Sequence, residues 1–345
     1  MKFFYDAIVG NRSLCERLGN DIMSSRLPHA IILEGPYGTG KHTLAKMTAA
    51  ALGCEEKSND SRPLPCLSCL NCRKVIENKS PDVIVIGCED KSTIGVDAIR
   101  FLKEDIHIIP NDSDHKVYII ENADKMTPQA QNALLLTLEE PPAYAHFFLL
   151  CENAGLLLET IRSRAPTLRM ELLSKGDIDK YITSTDRRAA QMKLSDPAEY
   201  AELLMASGYG IGSALNNLDT RVFSPTKATR SLATEFVTVA IRGRGAAEAM
   251  PIISRFSPKR DVVSDQLFAI SEAIRDLIVM KKSDTAELCF FADRDFAIEL
   301  SDRASTVFLF KMMTAVETAK DEIGRNANVK LCLIKLASNI GILER

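Results

Sequence analysis

The segment GPYGTGKHTLAK, which begins at Gly35, carries the glycines and the lysine of a nucleotide phosphate loop. In the pattern Gly-x-x-x-x-Gly-Lys-Ser/Thr, backbone N–H groups surround the phosphates, the lysine reaches the terminal phosphates and the hydroxyl holds magnesium. Gly35, Gly40 and Lys41 satisfy this pattern, whereas His42 stands where the hydroxyl belongs. Magnesium prefers hard oxygen ligands, and imidazole suits zinc or copper better. We therefore expect His42 to be a solvent-facing helix residue, and the hydroxyl of Thr43 to point about 100° away from its position.

Four of the nine cysteines have the spacing of metal ligands, namely Cys54, Cys66, Cys69 and Cys72. Two-residue separations let neighbouring thiolates converge on one tetrahedral ion, and four thiolates leave no position for water or substrate. The pattern predicts a structural zinc site, and the alternative is a set of free thiols in a polar loop. The remaining cysteines are expected to be packing residues: Cys15, Cys88, Cys151, Cys289 and Cys332.

The first half of the sequence alternates between strand and helix patterns. The apolar runs AIILEG, DVIVIG, KVYIIE and HFFLLC have the length and residue types of buried strands. A helix is predicted from about Lys41 to Leu52, and TPQAQNALLLTLEEPP predicts another that ends before Pro141. This alternation predicts an α/β domain with a parallel sheet and helices on both faces. The phosphate loop then lies at the carboxyl end of the first strand, where such loops occur.

After about Met170 the patterns are helical. Short helical segments fill residues 171–218, and DTRVFSPTK, at 219–227, predicts a linker. The remainder carries apolar stripes at helical spacing, which indicate core packing. One stripe consists of Leu267, Ile270, Ile274 and Leu277.

The formal net charge of −3 argues against a self-sufficient nucleic-acid-binding domain, because such domains are normally basic. Four basic residues of the last third either approach DNA or form a solvated face: Arg242, Arg244, Lys259 and Arg260. The first residues, MKFFYDAIVGN, do not form a signal peptide, and no apolar run approaches the roughly 20 residues that span a bilayer. We expect a cytoplasmic protein with reduced cysteines and no membrane partner.

Several stretches together resemble bacterial clamp-loader subunits of the AAA+ class. They are RLPHAIILEGPYGTGK, the four-cysteine insertion, PDV, NALLLTLEEPP and TIRSRAPTLRM, in the order of the family. The resemblance covers residues 3 to about 218 and is weaker beyond. It implies an AAA+ P-loop domain followed by a small helical lid and an all-α collar that serves oligomerisation. The expected bounds are 1–170 for the AAA+ domain with its zinc-binding insertion at 54–72, 171–218 for the lid and 219–345 for the collar.

The family contains a hydrolysing motor subunit (gamma/tau) and a non-hydrolysing delta-prime subunit, and three departures favour the second. His42 replaces the magnesium-binding hydroxyl. The acidic pair that ends the third strand in motors appears as Glu121-Asn122, and a neutral amide is no general base. The lid arginine of the motors corresponds to Gly212. Alternatively, Glu121 and Asn122 only cap the strand.

Binding of ATP with magnesium is still compatible with the loop, although hydrolysis is not expected. The residues that would bind nucleotide are Gly35, Gly38, Thr39, Gly40, Lys41, His42 and Thr43. The triplet Ser163, Arg164 and Ala165 is similar to the Ser-Arg-Cys motif of the family. The resemblance implies that Arg164 acts in trans as an arginine finger at the ATP site of a neighbour, and the alternative is an ordinary surface arginine.

The resemblance therefore implies a delta-prime-like stator of the DNA polymerase III clamp loader. Its expected partners are the gamma/tau motor subunits and the delta subunit, with the sliding clamp and primer-template DNA reached through the assembled hetero-oligomer. The chain would belong to the DNA-directed DNA polymerase III holoenzyme, a nucleotidyltransferase, without an ATPase activity of its own. The alternatives are a divergent gamma/tau ATPase and, against the net charge, a zinc-dependent DNA-binding module.

Overall fold

The structure is a computed structural model that describes residues 8–57, 63–88, 93–208, 210–243, 246–283 and 285–342. The chain divides into two compact units. The first comprises Met1–Tyr181 with Tyr209–Gly212, and the second comprises Ile182–Gly208 with Ser213–Arg345. The division into three domains that the sequence suggested stays a prediction.

The first unit is built around a parallel sheet of five strands in the order β2-β3-β4-β1-β5. The strands are β1 (Ala30–Glu34), β2 (Val83–Ile86), β3 (Lys116–Ile120), β4 (Ala145–Cys151) and β5 (Thr167–Arg169). The first four coincide with the predicted apolar runs, which confirms the parallel α/β class. β5 was missed because it has only three residues, of which the outer two are exposed.

Helices cover both faces of this sheet. They are α1 (Arg12–Met23), α2 (Lys41–Leu52), α3 (Leu70–Ile76), α4 (Val96–Asp105), α5 (Pro128–Glu139) and α6 (Glu159–Arg162), with 3-10 turns at Ala123–Lys125 and Ala154–Leu156. After β5 the chain continues into α7 (Lys175–Thr185). Alternate residues of each strand face opposite layers: Ile31 and Leu33 pack with α1 and α2, whereas Ile32 packs with α4 and α5. The sheet is therefore buried on both sides, as parallel sheets are.

The described residues of the second unit form helices joined by turns and loops, without a strand. Its helices are α8 (Arg187–Ser195), α9 (Pro197–Ala206), α10 (Ile211–Asn217, of which Ile211 and Gly212 belong to the first unit), α11 (Thr220–Arg242), α12 (Ala246–Ile253), α13 (Arg260–Met280), α14 (Arg294–Asp302), α15 (Thr306–Gly324) and α16 (Val329–Ile342). α13 packs against α11, α14 and α15, and its predicted apolar stripe is fully buried. None of the helices in the described residues is both long and apolar enough to cross a membrane.

The predicted linker at 219–227 is wrong, because these residues begin α11. Asp219 caps the helix by accepting a hydrogen bond from the N–H of Arg221 at 2.9 Å. Pro225 lies in the second turn, where it removes one backbone donor without ending the helix. The Ser-Pro dipeptide indicated a break, whereas the capping aspartate was the stronger signal.

Candidate functional site

The glycine loop between β1 and α2 has the backbone that its sequence requires. Gly38 (φ 78°) and Gly40 (φ 90°) are both left-handed, a region that favours glycine. Gly40 is also the N-cap of α2, and the buried Thr39 donates from Oγ1 to the carbonyl of Pro36 at 2.8 Å. The predicted strand, glycine turn and helix thus follow one another as a phosphate loop does, with Lys41 at the first helical position.

Lys41 is held by the carbonyl oxygens of its own loop. Its Nζ donates to Gly35 and, at 2.8 Å, to Pro36. Burial lowers the pKa of Lys41, while the carboxylates of Glu152 and Asp124 act in the opposite direction. The lysine charge therefore lies at the carboxyl end of the sheet, close to acidic groups that follow β3 and β4 in the chain.

His42 faces the carboxylate that follows β3. Its Nε2 lies 3.5 Å from Oε1 of Glu121, and the two side chains are 41% and 39% exposed. The expected solvent-facing position is thus only half correct, because the ring is also directed at a carboxylate. Asn122 has left-handed backbone angles (φ 51°, ψ 47°), which asparagine tolerates better than most residues. Thr43 is exposed, as its place on the helix requires.

The segment Gly210–Gly212, which belongs to the first unit, packs directly on the glycine loop. The N–H of Gly212 donates to the carbonyl of Gly38 at 3.1 Å. A Cβ on Gly210 would lie 2.6 Å from the carbonyl carbon of Gly38. A Cβ on Gly212 would lie 3.2 Å from the Cα of Gly38. This contact therefore requires glycine at 210, and position 212 offers no side chain to a phosphate.

The four predicted cysteines converge. The Sγ atoms of Cys54, Cys66, Cys69 and Cys72 all lie within 4.8 Å of one another. Zn–S bonds of about 2.3 Å in a tetrahedron separate the sulfurs by about 3.8 Å, so the arrangement fits zinc. The N–H of Cys69 donates to Sγ of Cys66 at 3.3 Å, and the N–H of Cys72 to Sγ of Cys69 at 3.4 Å.

The thiols of this cluster have unequal acidities. Against the effect of burial, hydrogen bonds from Ser68 and Cys69 lower the pKa of Cys66 to about 6, whereas burial raises the pKa of Cys72. Such backbone N–H donors stabilise thiolates, which are the form that binds metal. Outside the cluster, Cys88 is half-buried, and the other predicted packing cysteines are buried: Cys15, Cys151, Cys289 and Cys332.

Arg164 lies just after α6, on the surface of the first unit. Its Nη2 donates to Oε1 of Glu139, the last residue of α5, at 2.7 Å. Its Nη1 donates to the carbonyl of Thr160 at 2.9 Å and contacts Oγ of Ser163 at 3.5 Å. The side chain remains 36% exposed. The guanidinium is thus both oriented and accessible.

Comparison with known proteins shows what this sequence is similar to. Residues 10–174 match the family described as "DNA polymerase III, delta subunit". The tau subunit of Bacillus subtilis (strain 168) is 35% identical over 222 residues, which are 63% of this chain and 38% of that protein. The delta' subunit of the same strain is 36% identical over 169 residues, 49% of this chain and 50% of that protein. The first half of the chain is therefore similar to bacterial clamp-loader subunits of DNA polymerase III.

Clamp-loader relatives of both kinds match at similar identity. The gamma subunit of Buchnera aphidicola subsp. Schizaphis graminum (strain Sg) is 31% identical over 178 residues, 52% of this chain and 48% of that protein. The matches thus span half or less of the length of these relatives. The similarity supports the clamp-loader family and does not separate delta' from gamma/tau.

Two acidic residues beside the glycine loop, Asp124 and Glu34, were not predicted from the sequence as part of the site. Oδ2 of Asp124 accepts hydrogen bonds from the N–H groups of Glu152 and Asn153, at 3.1 and 3.4 Å, and joins the ends of β3 and β4. Its other oxygen is buried without a hydrogen bond to any described residue. Glu34 likewise accepts from the N–H of Ala154 at 2.9 Å. The signal available in the sequence was an acidic residue close to the end of each predicted strand.

Three of the four basic residues considered for DNA contact lie in the described part of the second unit. Arg242 pairs with Glu299 at 2.7 Å. Arg260 donates to the carbonyl of Ile323 at 2.7 Å, and Lys259 is exposed. Arg244 lies outside the described residues. Two of the four candidates are therefore engaged within the second unit.

Proposed function

We propose that this chain is a delta-prime-like stator of the DNA polymerase III clamp loader. It helps to load the sliding clamp onto primed DNA, does not hydrolyse ATP itself and supplies Arg164 to the ATP site of a neighbouring motor subunit. The observation that carries the proposal is the contact between His42 and Glu121, at 3.5 Å. An imidazole stands where a phosphate loop holds magnesium, and it faces the carboxylate that replaces the first acid of the motors.

Two further features support a loop without hydrolysis. Asn122 offers an amide where a general base is needed. Gly212 brings only backbone to Gly38, so no charge from this position clamps a terminal phosphate. Because parts of a catalytic unit act together, losing three of them leaves very little activity. The loop itself retains the means to bind ATP, through Lys41 and the glycine backbone.

Arg164 supports a role in trans. A permanently charged planar guanidinium suits the stabilisation of a phosphoryl group in transit, and Arg164 presents one at the surface. The motor and delta subunits are the proposed partners, with clamp and DNA reached through the complex. The four cysteines hold one structural zinc ion per chain, which stabilises the segment between α2 and β2.

A divergent gamma/tau motor is the second candidate, because relatives with those names match the chain. The two are separated by measuring ATPase activity with magnesium for this chain alone, its motor partner alone and the reconstituted complex. A stator gives no turnover alone. In the complex, Arg164→Ala lowers clamp loading strongly and total ATPase partly, since only one of several sites faces this chain. Arg162→Ala is the matched control; turnover by the isolated chain would support the motor instead.

A further inference from the structure

Glu139 and Arg164 are 25 residues apart in sequence and meet at the surface of the first unit. Glu139 ends α5, within the LEEPP stretch, and Arg164 follows α6. Their contact of 2.7 Å is a charge-assisted hydrogen bond, yet the side chains remain 43% and 36% exposed. The LEEPP stretch and the triplet that contains Arg164 are therefore in contact, although they are distant in the sequence.

We propose that Glu139 is a positioning residue for Arg164, an inference that rests on the proposed function of Arg164 as a finger. A guanidinium has five N–H donors. Nη2 directs one donor at Glu139, and Nη1 directs two at Thr160 and Ser163. Two donors are left, one on Nε and one on Nη2. The guanidinium is thus held in one orientation while it keeps donors for a phosphate.

The neighbouring Arg162 shows what Glu139 contributes. Arg162 is exposed, and among the described residues its side chain makes no hydrogen bond or ion pair. A long side chain that is free loses its rotamer entropy when it meets a ligand, whereas one that is already held loses less. An exposed ion pair adds little to fold stability, so the consequence of Glu139 is the orientation of Arg164.

The first arm of the test uses the isolated chain. Side-chain NMR of the arginine guanidinium groups should show slow proton exchange and restricted rotation for Arg164. Glu139→Ala should accelerate both, whereas Glu140→Ala, which removes the same charge one residue away, should not. Unchanged Arg164 signals in Glu139→Ala would overturn the inference without bearing on the role of Arg164 in a complex.

The second arm uses the complex reconstituted with its motor partners and MgATP, in single turnover. Glu139→Ala should lower the hydrolysis rate at the site facing this chain by about three- to tenfold, with KM for ATP unchanged, because misplaced groups slow the chemical step. Glu139→Gln should recover part of this loss, since an amide oxygen accepts the same hydrogen bond. In an Arg164→Ala background, Glu139→Ala should have no further effect.

The outcomes separate the inference from the function on which it rests. If Arg164→Ala leaves hydrolysis unchanged, the finger role fails, whatever the NMR arm reports. If Arg164→Ala slows hydrolysis and Glu139→Ala does not, or accelerates it, the positioning role fails and the finger role stands. An additional loss in the double variant would likewise contradict a role exerted through Arg164.

Discussion

The imidazole of His42 and the carboxylate of Glu121 lie 3.5 Å apart, between the first turn of α2 and the end of β3. In a working loop, a hydroxyl at the first position and a carboxylate at the second hold magnesium and its water. In this chain, the side chains at these two positions, His42 and Glu121, contact each other. The contact is partly exposed, so it adds little to the stability of the fold.

We predict that His42→Thr changes the free energy of unfolding by less than about 1 kcal/mol, because exposed pairs contribute no more than this. ATPase activity should remain at background, since Asn122 and Gly212 are unchanged. Urea unfolding and ATP turnover with magnesium measure the two effects, and Thr43→Ala is the control on the same turn. Turnover by His42→Thr would show that the hydroxyl alone was missing and would contradict the stator proposal.

The packing of Gly210 on the loop gives the second prediction. Gly210→Ala brings a Cβ to 2.6 Å from the carbonyl carbon of Gly38 and 2.7 Å from the carbonyl oxygen of Tyr37. Backbone atoms cannot move aside as a flexible side chain can, so we expect about 1–3 kcal/mol of overpacking. Because the segment can open locally, hydrogen exchange of the Gly212 amide should accelerate about tenfold or more.

Gly176→Ala is the matched control for this substitution. Its new Cβ would lie 3.7 Å from Oγ of Ser174, which is an ordinary contact. Exchange of the Gly212 amide should therefore match that of the wild type. Equal exchange in Gly210→Ala would mean that the segment does not rest on the loop in solution.

Features that depend on local sequence were predictable. The run AIILEG, the glycine turn and the alanine-rich segment after it each favour the local structure that they adopt. β1 and α2 therefore lie where they were predicted. The cysteines converged because two-residue spacings restrict where neighbouring thiolates can lie. In each case, short-range geometry decides the result.

Features that depend on contacts between distant segments were not predictable. β5 is defined by pairing with β1, not by its own three residues. The glutamate partners of His42 and Arg164 lie 79 and 25 positions away, and nothing in the residue types indicates the pairing. The start of α11 was mispredicted for another reason. The sequence contained the capping residue Asp219, but Pro225 was interpreted as a sign of a linker.

The metal cluster gives the third prediction. We expect about one tightly held zinc per chain, and Cys69→Ser should release it and lower stability, since metal-binding free energy is also folding free energy. Metal analysis of protein purified without chelator measures the zinc content, and urea unfolding measures stability. Cys88→Ser is the control, because Cys88 lies outside the cluster. Wild-type protein without zinc would contradict the site.

The fourth prediction concerns a buried histidine at the other end of the sheet. His146 begins β4 next to Ala145 and is only 6% exposed. Its ring stacks on His29 at 5.6 Å, and its Nε2 lies 3.3 Å from Nδ1 of His115. Burial, followed by charge on His115 and His29, lowers the pKa of His146 to about 4, and Lys57 acts in the same direction.

The sign of the pH dependence follows from this lowered pKa. Between the ordinary histidine pKa of about 6.5 and the folded value of about 4, the unfolded chain takes up a proton that the folded chain resists. Stability should therefore be complete above about pH 6.5 and fall by about 3 kcal/mol as the pH drops toward 4. The lowered pKa of His115, which also results mainly from burial, adds to the loss.

His146→Gln tests this dependence, because the amide cannot take up a proton in this range and still offers a donor to His115. Urea unfolding at pH 7.5 and pH 4.5 should show a loss of stability that is about 2–3 kcal/mol smaller in the variant than in the wild type. Any metal that the cysteine cluster releases in acid is lost from both proteins alike, since His146 is not part of the cluster. The exposed His107→Gln should keep the wild-type loss. An equal loss in His146→Gln would mean that the acid sensitivity of the first unit arises elsewhere.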